Sequence, residues 1–207
     1  METDLPFRYI AISSRKVCPE PLPQRIQRLD GLGVDCIQVR DKEVSDREKY
    51  NWFKQINCFS SLLFANSRAD FVHLFNLDGL QRSGKAISAG KLKIITGEKV
   101  WIGCSAHNLT DLHNACCSGA DFILYSPVFP TESKPELTRA DCHGLEGLKQ
   151  ACIESDLPVF ALGGIGPDEI KPCLEAGAWG AAGIRTLFQP EDPTENWDKI
   201  SKALNLS

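Results

Sequence analysis

Apolar residues in this chain come in short runs, and longer stretches with helical spacing lie between most of them. Tyr9 to Ile12, Cys36 to Val39, Leu62 to Ala65, Val100 to Cys104, Asp121 to Tyr125 and Val159 to Leu162 each predict a strand. Four apolar residues in a row, as at Val159 to Leu162, read as a short buried strand. Gly79 to Arg82 is a weaker fourth strand, and the segment from it to Ile95 carries little periodic signal. Gly180 to Gly183, leading into Ile184 and Arg185, completes a set of eight.

Helices are predicted between the strands. Pro21 to Gly31 places Ile26 and Leu29 inward, and Gly31 or Gly33 stops it. Ser45-Asp46-Arg47-Glu48 has capping-box spacing and opens a helix through Trp52 and Phe53. Ala69 to Phe75 is a short apolar helix. Asn108 caps the next, with Asp111 three residues later. Another starts at Leu145. The last, from about Pro193 to Leu204, puts Trp197, Ile200 and Leu204 on one face.

Eight strand-then-helix units of about 26 residues each imply parallel pairing through helical crossovers, and eight repeats close the sheet. The expectation is an α/β fold, a (β/α)8 TIM barrel, as a single domain over residues 1–207. An open doubly wound sheet would need a G-x-G-x-x-G turn after its first strand. Ser13-Ser14-Arg15-Lys16 supplies none.

The stretch Val159 to Gly166 runs from a buried strand straight into a glycine-rich turn. Pro167 behind it suits a first helical turn, and Asp168 and Glu169 suit the positive end of a helix. Glycines let backbone N–H groups approach an anion closely. The following unit ends in Arg185. The ends of strands seven and eight are where such barrels commonly hold phosphate. The alternative is that these glycines only make tight turns.

Composition narrows the function classes. The 207 residues are 43% hydrophobic and 24% charged, with formal net charge −4. No long basic block is present, so nucleic acid is not an expected partner. No apolar run approaches the ~20 residues that span a membrane. Met1-Glu2-Thr3-Asp4 lacks the order of a signal peptide. Nine cysteines without a C-x-x-C pair fit reduced thiols and a cytoplasmic location. Cys142-His143 alone is a poor zinc motif. A homo-oligomer is left open.

In such a barrel the active site forms at the C-terminal strand ends, and here those ends are polar. The second strand offers Gln38, Arg40 and Lys42, whose alternation points them one way. The third offers Asn66 and Arg68, and the fifth Ser105 and His107. The loop after the sixth offers Thr131, Ser133 and Lys134. Converging lysines and arginines describe a pocket for a phosphate ester or diphosphate. The competing reading pairs Arg40 and Lys42 with Asp41, Glu43 or Asp70 at the rim, and makes His107 a cap or packing residue.

Eight stretches together resemble the thiamine phosphate synthase and TenI superfamily. They are Gln38-Val39-Arg40-Asp41-Lys42, Asn66-Ser67-Arg68, Ile102 to His107, Gly119 to Phe122, Pro127 to Lys134, Gly144 to Gly147, Ala161 to Ile165 and Glu175 to Ala178. Their order holds from about Tyr9 to Phe188. The resemblance implies a transferase of thiamine biosynthesis. The synthases join a hydroxymethylpyrimidine diphosphate to a thiazole phosphate, and pyrophosphate leaves. By resemblance, Gln38, Arg40, Lys42 and Lys134 hold the diphosphate. Ser105 lies against the pyrimidine, Thr131 and Ser133 near the thiazole phosphate. Gly163, Gly164, Ile184 and Arg185 line that phosphate's far end.

Two departures concern magnesium. The synthases carry Asn-Asp-Arg after the third strand, and its aspartate binds the metal; here Ser67 stands there. After the fourth strand their pattern Asp-Gly-x-His-x-Gly-Gln runs on to a second ligand. Here the run is Asp78-Gly79-Leu80-Gln81-Arg82-Ser83-Gly84-Lys85-Ala86, and Ala86 takes the ligand position. Neither replaces a carboxylate for a hard dication, so no metal and no other cofactor is expected. TenI proteins, which isomerise a thiazole carboxylate phosphate without metal, share both losses. The histidine associated with that activity falls at Pro127. Three readings follow: thiamine assembly with Lys85 and Arg82 replacing the metal's charge, a TenI-like tautomerase using His107 or another base, and a non-catalytic phosphate-ligand binder. Isomerisation of phosphoribosyl anthranilate would want a cysteine after the first strand, where Ser13 and Ser14 stand.

Overall fold

Eight parallel strands close into one barrel in chain order. They are β1 (Tyr9–Ile12), β2 (Cys36–Val39), β3 (Leu62–Asn66), β4 (Gly79–Arg82), β5 (Trp101–Ala106), β6 (Phe122–Tyr125), β7 (Val159–Leu162) and β8 (Gly180–Gly183). The closing pair sets Tyr9 against Ala181 and Ala11 against Gly183. The computed structural model describes residues 5–56, 60–83, 86–132, 135 and 138–206. The helices are α1 (Leu22–Gly31), α2 (Asp46–Gln55), α3 (Ala69–Phe75), α4 (Ala89–Thr96), α5 (Leu109–Cys116), α6 (Gly144–Glu154), α7 (Ile170–Glu175), α8 (Arg185–Phe188) and α9 (Thr194–Ala203). This is the (β/α)8 barrel that the alternation of runs predicts.

Local differences have local causes. β5 extends two residues past its apolar run, to Ala106, because Ser105 and Ala106 pair with Leu124 and Tyr125. Ser45 caps α2 by accepting from the Glu48 N–H at 3.2 Å, but the Glu48 carboxylate meets Arg15 at 3.0 Å. The box is therefore half made. A 3-10 turn, Pro167–Glu169, precedes α7. The four-residue α8 was not legible as a separate element from spacing.

Two apolar layers hold the barrel. Outside the strands, residues such as Ile37, Leu80, Ile102, Ile123 and Phe188 pack under the helices. Inside, Phe7 brings its ring centroid within 5.4–5.5 Å of those of Phe64, Phe122 and Phe160. These rings fill the lower half of the barrel, so the interior is a floor and not a channel. Gly103 makes room above them: a Cβ there would stand 2.3 Å from the Phe122 ring and 2.2 Å from the Gln81 Oε1.

Among the described residues no helix is long and apolar enough to cross a membrane. The eight described cysteines are free thiols. Burial pushes Cys152 up to about 11 and Cys173 up to about 12, so neither is a ready nucleophile. No cluster of three His, Cys, Asp or Glu residues that could hold a metal occurs among the described residues.

Candidate functional site

Every strand contributes to the lining of a cavity of about 450 Å3 at the barrel's C-terminal end. Ile12 of β1, Leu124 of β6, Leu162 of β7 and Ala182 of β8 make its apolar half. Gln38 of β2, Asn66 of β3, Gln81 of β4 and Ser105 of β5 make its polar half. The register pairs Ile12 with Gln38, Asn66 with Gln81, Ser105 with Leu124 and Leu162 with Ala182. The strands step by two residues between these pairs, so residues distant in sequence line one cavity mouth in a staggered ring. The polar half carries no formal charge. The Gln38 Nε2 donates to the Asn66 Oδ1 at 2.9 Å, and the Asn66 Nδ2 donates to the Ser67 Oγ at 3.2 Å. The Gln81 Nε2 donates to the Ser105 Oγ at 3.1 Å.

Above the ring stand the cations. Arg40 and Lys42 both line the cavity. Ser13 fixes the Arg40 backbone from the next strand end: its Oγ accepts from the Arg40 N–H at 2.8 Å and donates to the Arg40 carbonyl at 3.0 Å. The carboxylates nearby are engaged elsewhere. Asp41 accepts from the N–H groups of Arg15 and Glu43, Glu43 pairs with Lys16, and Asp70 pairs with Arg68. Among the described residues neither Arg40 nor Lys42 has a carboxylate at ion-pair distance. Burial holds the Arg40 guanidinium below its ordinary value, against a smaller opposite effect of Asp41. An arginine titrates so high that it stays charged, so Arg40 is a partly desolvated cation facing a cavity. The rim-pairing alternative for these two residues is not what the geometry shows.

Gly163, Gly164, Ile184 and Arg185 lie together on the far side, with Thr131. Gly164 has φ +66°, and a Cβ there would stand 2.4 Å from the Pro130 carbonyl oxygen. The turn thus needs glycine both for its left-handed backbone and for the loop that crosses it. That loop is stitched on by Val128 N–H to the Leu162 carbonyl at 3.0 Å and Phe129 N–H to the Gly163 carbonyl at 2.9 Å. The Thr186 hydroxyl donates to the Ile165 carbonyl at 2.8 Å, joining the two glycine-bearing strand ends. Arg185 reaches Glu132 at 3.1 Å and Gln189 at 3.2 Å, while its buried Nε has no partner among the described residues. The Gly166 N–H is already taken by the Glu169 carboxylate at 2.9 Å.

His107 lines the cavity, and its Nδ1 lies 2.8 Å from the Ser126 carbonyl oxygen. A carbonyl only accepts, so Nδ1 carries a proton, and in the neutral ring Nε2 is the nitrogen with the lone pair. Behind it His143 packs on Tyr125 with centroids 4.5 Å apart. Burial lowers the His143 pKa, against the carbonyls of Ser126 and His107.

Of the expected site residues, Gln38, Arg40, Lys42, Asn66, Ser105, His107, Thr131, Gly163, Gly164, Ile184 and Arg185 share this cavity. Ser133 and Lys134 lie outside the described residues, as does Lys85. Arg68 does not reach the cavity. Its guanidinium pairs with Asp46 and Asp70 and stacks on Phe71, 4.1 Å from the ring centroid. Arg82 does line the cavity, but its guanidinium is committed elsewhere, donating to the Cys104 Sγ at 3.1 Å, the Ser118 Oγ at 3.2 Å and the Ala86 carbonyl at 3.1 Å. Ser13, Gln81 and Ser126 were missed. Gln81 could have been found as the one polar residue of the weak fourth strand whose parity matches an inward Gly79.

The comparisons with known proteins fit this geometry. The family described as thiamine monophosphate synthase (TMP-TENI) matches residues 9–187. "Putative thiamine-phosphate synthase 2" of Aquifex aeolicus is 35% identical over 190 residues, covering 90% of this chain and all of the relative. The thiamine-phosphate synthase of Methanococcus vannielii is 32% identical, covering 90% of this chain and 89% of the relative. The solved thiamine phosphate pyrophosphorylase of Pyrococcus furiosus superposes with TM-score 0.82 at 26% identity, over 97% of this chain and 96% of that one. The match spans every strand of the barrel and both polar rims of the cavity, and the chain belongs to the thiamine monophosphate synthase (TMP-TENI) family.

Proposed function

We propose that this barrel joins a hydroxymethylpyrimidine diphosphate to a thiazole phosphate, releasing pyrophosphate, and that it does so without magnesium. One observation carries the reading. Arg40 and Lys42 are cations without a protein carboxylate among the described residues, above an uncharged half-polar, half-apolar ring site, in the same cavity as Gly163, Gly164 and Arg185. The first rim suits a diphosphate, the ring site a heteroaromatic ring, and the second rim a phosphate ester. As the C–O bond to the pyrimidine methylene breaks, negative charge grows on the diphosphate, where Arg40 and Lys42, joined by Lys134, stabilise it. The thiazole nitrogen then attacks the methylene carbon. Incubation with both substrates in a chelator, with product detected by mass spectrometry, tests the reading directly. No thiamine phosphate above the protein-free control rules it out.

The donor set does not fit a hard dication. Ser67 and Ala86 bring no charge, and the Ala86 carbonyl already accepts from Arg82. Magnesium with pyrophosphate is therefore expected to raise the melting temperature no further than pyrophosphate alone. Ser67→Asp with Ala86→Asp and Lys85→Glu should create magnesium-dependent pyrophosphate binding, because magnesium takes one or two carboxylates plus phosphate oxygens. Calorimetry with and without magnesium checks both. A magnesium requirement of the unmodified protein would overturn the metal-free assignment.

At the phosphate-ester rim, Arg185→Ala should weaken binding of thiazole phosphate by about 1.5–3 kcal/mol, the worth of one charge-assisted contact. Glu132, largely exposed, simply returns to water. Unchanged affinity would remove Arg185 from the site.

A second reading is a TenI-like tautomerase, favoured by His107. Its Nδ1 contact to Ser126 makes Nε2 the basic nitrogen of the neutral ring, and His107 lines the cavity. Solvent deuterium exchange into the thiazole carboxylate phosphate, lost in His107→Gln, distinguishes it. A cavity that binds the phosphates yet supports neither reaction would make the chain a binder only.

A further inference from the structure

The charges on the cavity wall have one sign, with a single exception. Among the described residues that line it, Arg40, Lys42, Arg82 and Arg185 are cations and Glu132 is the one acid. Glu132 belongs to the loop after β6. It crosses to the end of β8, where its Oε2 lies 3.1 Å from the Arg185 Nη1. The Glu132 side chain is 78% exposed and the Arg185 side chain 30%. The carboxylate thus keeps most of its water while paired, and exposed ion pairs of this kind are weak. Arg185 has a second tie on the same atom: its Nη1 donates to the Gln189 Oε1 at 3.2 Å, four residues on. Glu169, the other carboxylate near this rim, does not line the cavity. It accepts from the Gly166 N–H at 2.9 Å and closes a local turn.

We infer that Glu132 is an exchangeable counter-ion, which occupies Arg185 while the phosphate-ester rim is empty and yields it to an entering phosphate. The inference rests on the phosphate-ester rim of the function proposed above. It makes Glu132 a residue that sets specificity for the charge of the ligand. A phosphate ester brings a charge of about −1.5 to −2 at neutral pH and three acceptor oxygens, against a single charge on Glu132. Arginine binds phosphate through two parallel N–H groups, so the ligand wins the guanidinium. The displaced carboxylate is already largely in water and loses little by leaving. Gln189 keeps its hold on Nη1 and so keeps Arg185 oriented during the exchange. A ligand that ends in a hydroxyl brings no charge and leaves the pair in place. The exchange reverses on release: product keeps the same phosphate, and the returning carboxylate weakens its hold as well.

Calorimetry with thiazole phosphate, the corresponding thiazole alcohol and inorganic phosphate tests this. Glu132→Gln keeps the size of the side chain and removes its charge. It should tighten both phosphates by about twofold to fivefold, the range of one exposed ion pair. Affinity for the alcohol should not change, which separates loss of the counter-ion from repacking of the loop. Glu132→Ala should act in the same direction. In an Arg185→Ala background Glu132→Gln should have no effect, because the pair it releases is already gone. Glu175→Gln, at the end of α7, removes one charge outside the cavity lining and should leave all three affinities unchanged. Phosphate affinity that falls or stays the same in both Glu132 variants overturns the proposal and makes the carboxylate a holder of Arg185. A tightening that persists without Arg185 overturns it too, as plain repulsion. Absence of any phosphate binding overturns it outright. Failure of the synthase reading looks different: thiazole phosphate would bind no better than inorganic phosphate, while Glu132→Gln still tightened the latter.

Discussion

Arg40→Met together with Lys42→Met should remove measurable pyrophosphate binding. Each substitution deletes a charge-assisted contact worth about 1.5–3 kcal/mol, so the pair costs about 3 kcal/mol or more if the effects add. That is a loss of at least about a hundredfold in affinity. Methionine keeps much of the side-chain length and apolar stem, so the cavity walls should hold. The size of the effect follows from what the cations lack. With Asp41, Glu43 and Asp70 committed to other partners, deleting Arg40 and Lys42 strands no protein carboxylate. Folded stability should therefore change little or rise, because two like charges leave a partly desolvated site. Calorimetry for binding and urea melts for stability measure the two sides separately. Retained pyrophosphate binding, or a large stability loss, would show that the two cations serve the fold.

The second large effect lies away from the cavity. Arg25→Ala should destabilise the protein by about 2–3 kcal/mol, about 1–1.5 kcal/mol for each of the Leu187 and Pro190 carbonyls left without this donor, while the Glu191 carbonyl keeps the Arg28 guanidinium at 2.8 Å. The Arg25 side chain on α1 is fully buried. It pairs with Glu20 and donates to the carbonyls of Leu187 at 2.9 Å, Pro190 at 2.8 Å and Glu191 at 3.3 Å. One guanidinium thus ties α1 to the end of α8 and the turn after it, the segment that carries Arg185. Lysine has one head group and no planar fork, so Arg25→Lys should recover only part of the loss. Urea denaturation with an unchanged slope and a lower midpoint is the expected readout. A midpoint within error of the unmodified protein would mean that water replaces the arginine at those carbonyls.

Position along the sequence determined the strands and most of the helix ends. A parallel strand covered on both sides needs apolar residues on both faces, and that requirement is written directly as runs such as Val159 to Leu162. Caps are equally local: Asn108 accepts from the Asp111 N–H at 2.8 Å, three residues away. Which polar residues meet was decided in three dimensions. Strand alternation places Asn66 and Arg68 on one side, yet Ser67 takes φ +58°, in the left-handed region. That single backbone reversal breaks the two-residue period, leaves Asn66 in the ring and delivers Arg68 to Asp46 and Asp70. Arg82 differs for a simpler reason. One residue beyond inward Gln81, it must face the helices, where Cys104 and Ser118 receive it. The tautomer of His107 depends on the Ser126 carbonyl, nineteen residues on and in the next strand's loop. Sequence spacing carries the period of each element, because that period is a property of the local backbone. The partner of a side chain at an element's end depends on one dihedral angle and on the neighbouring strand, and both are set only when the barrel closes.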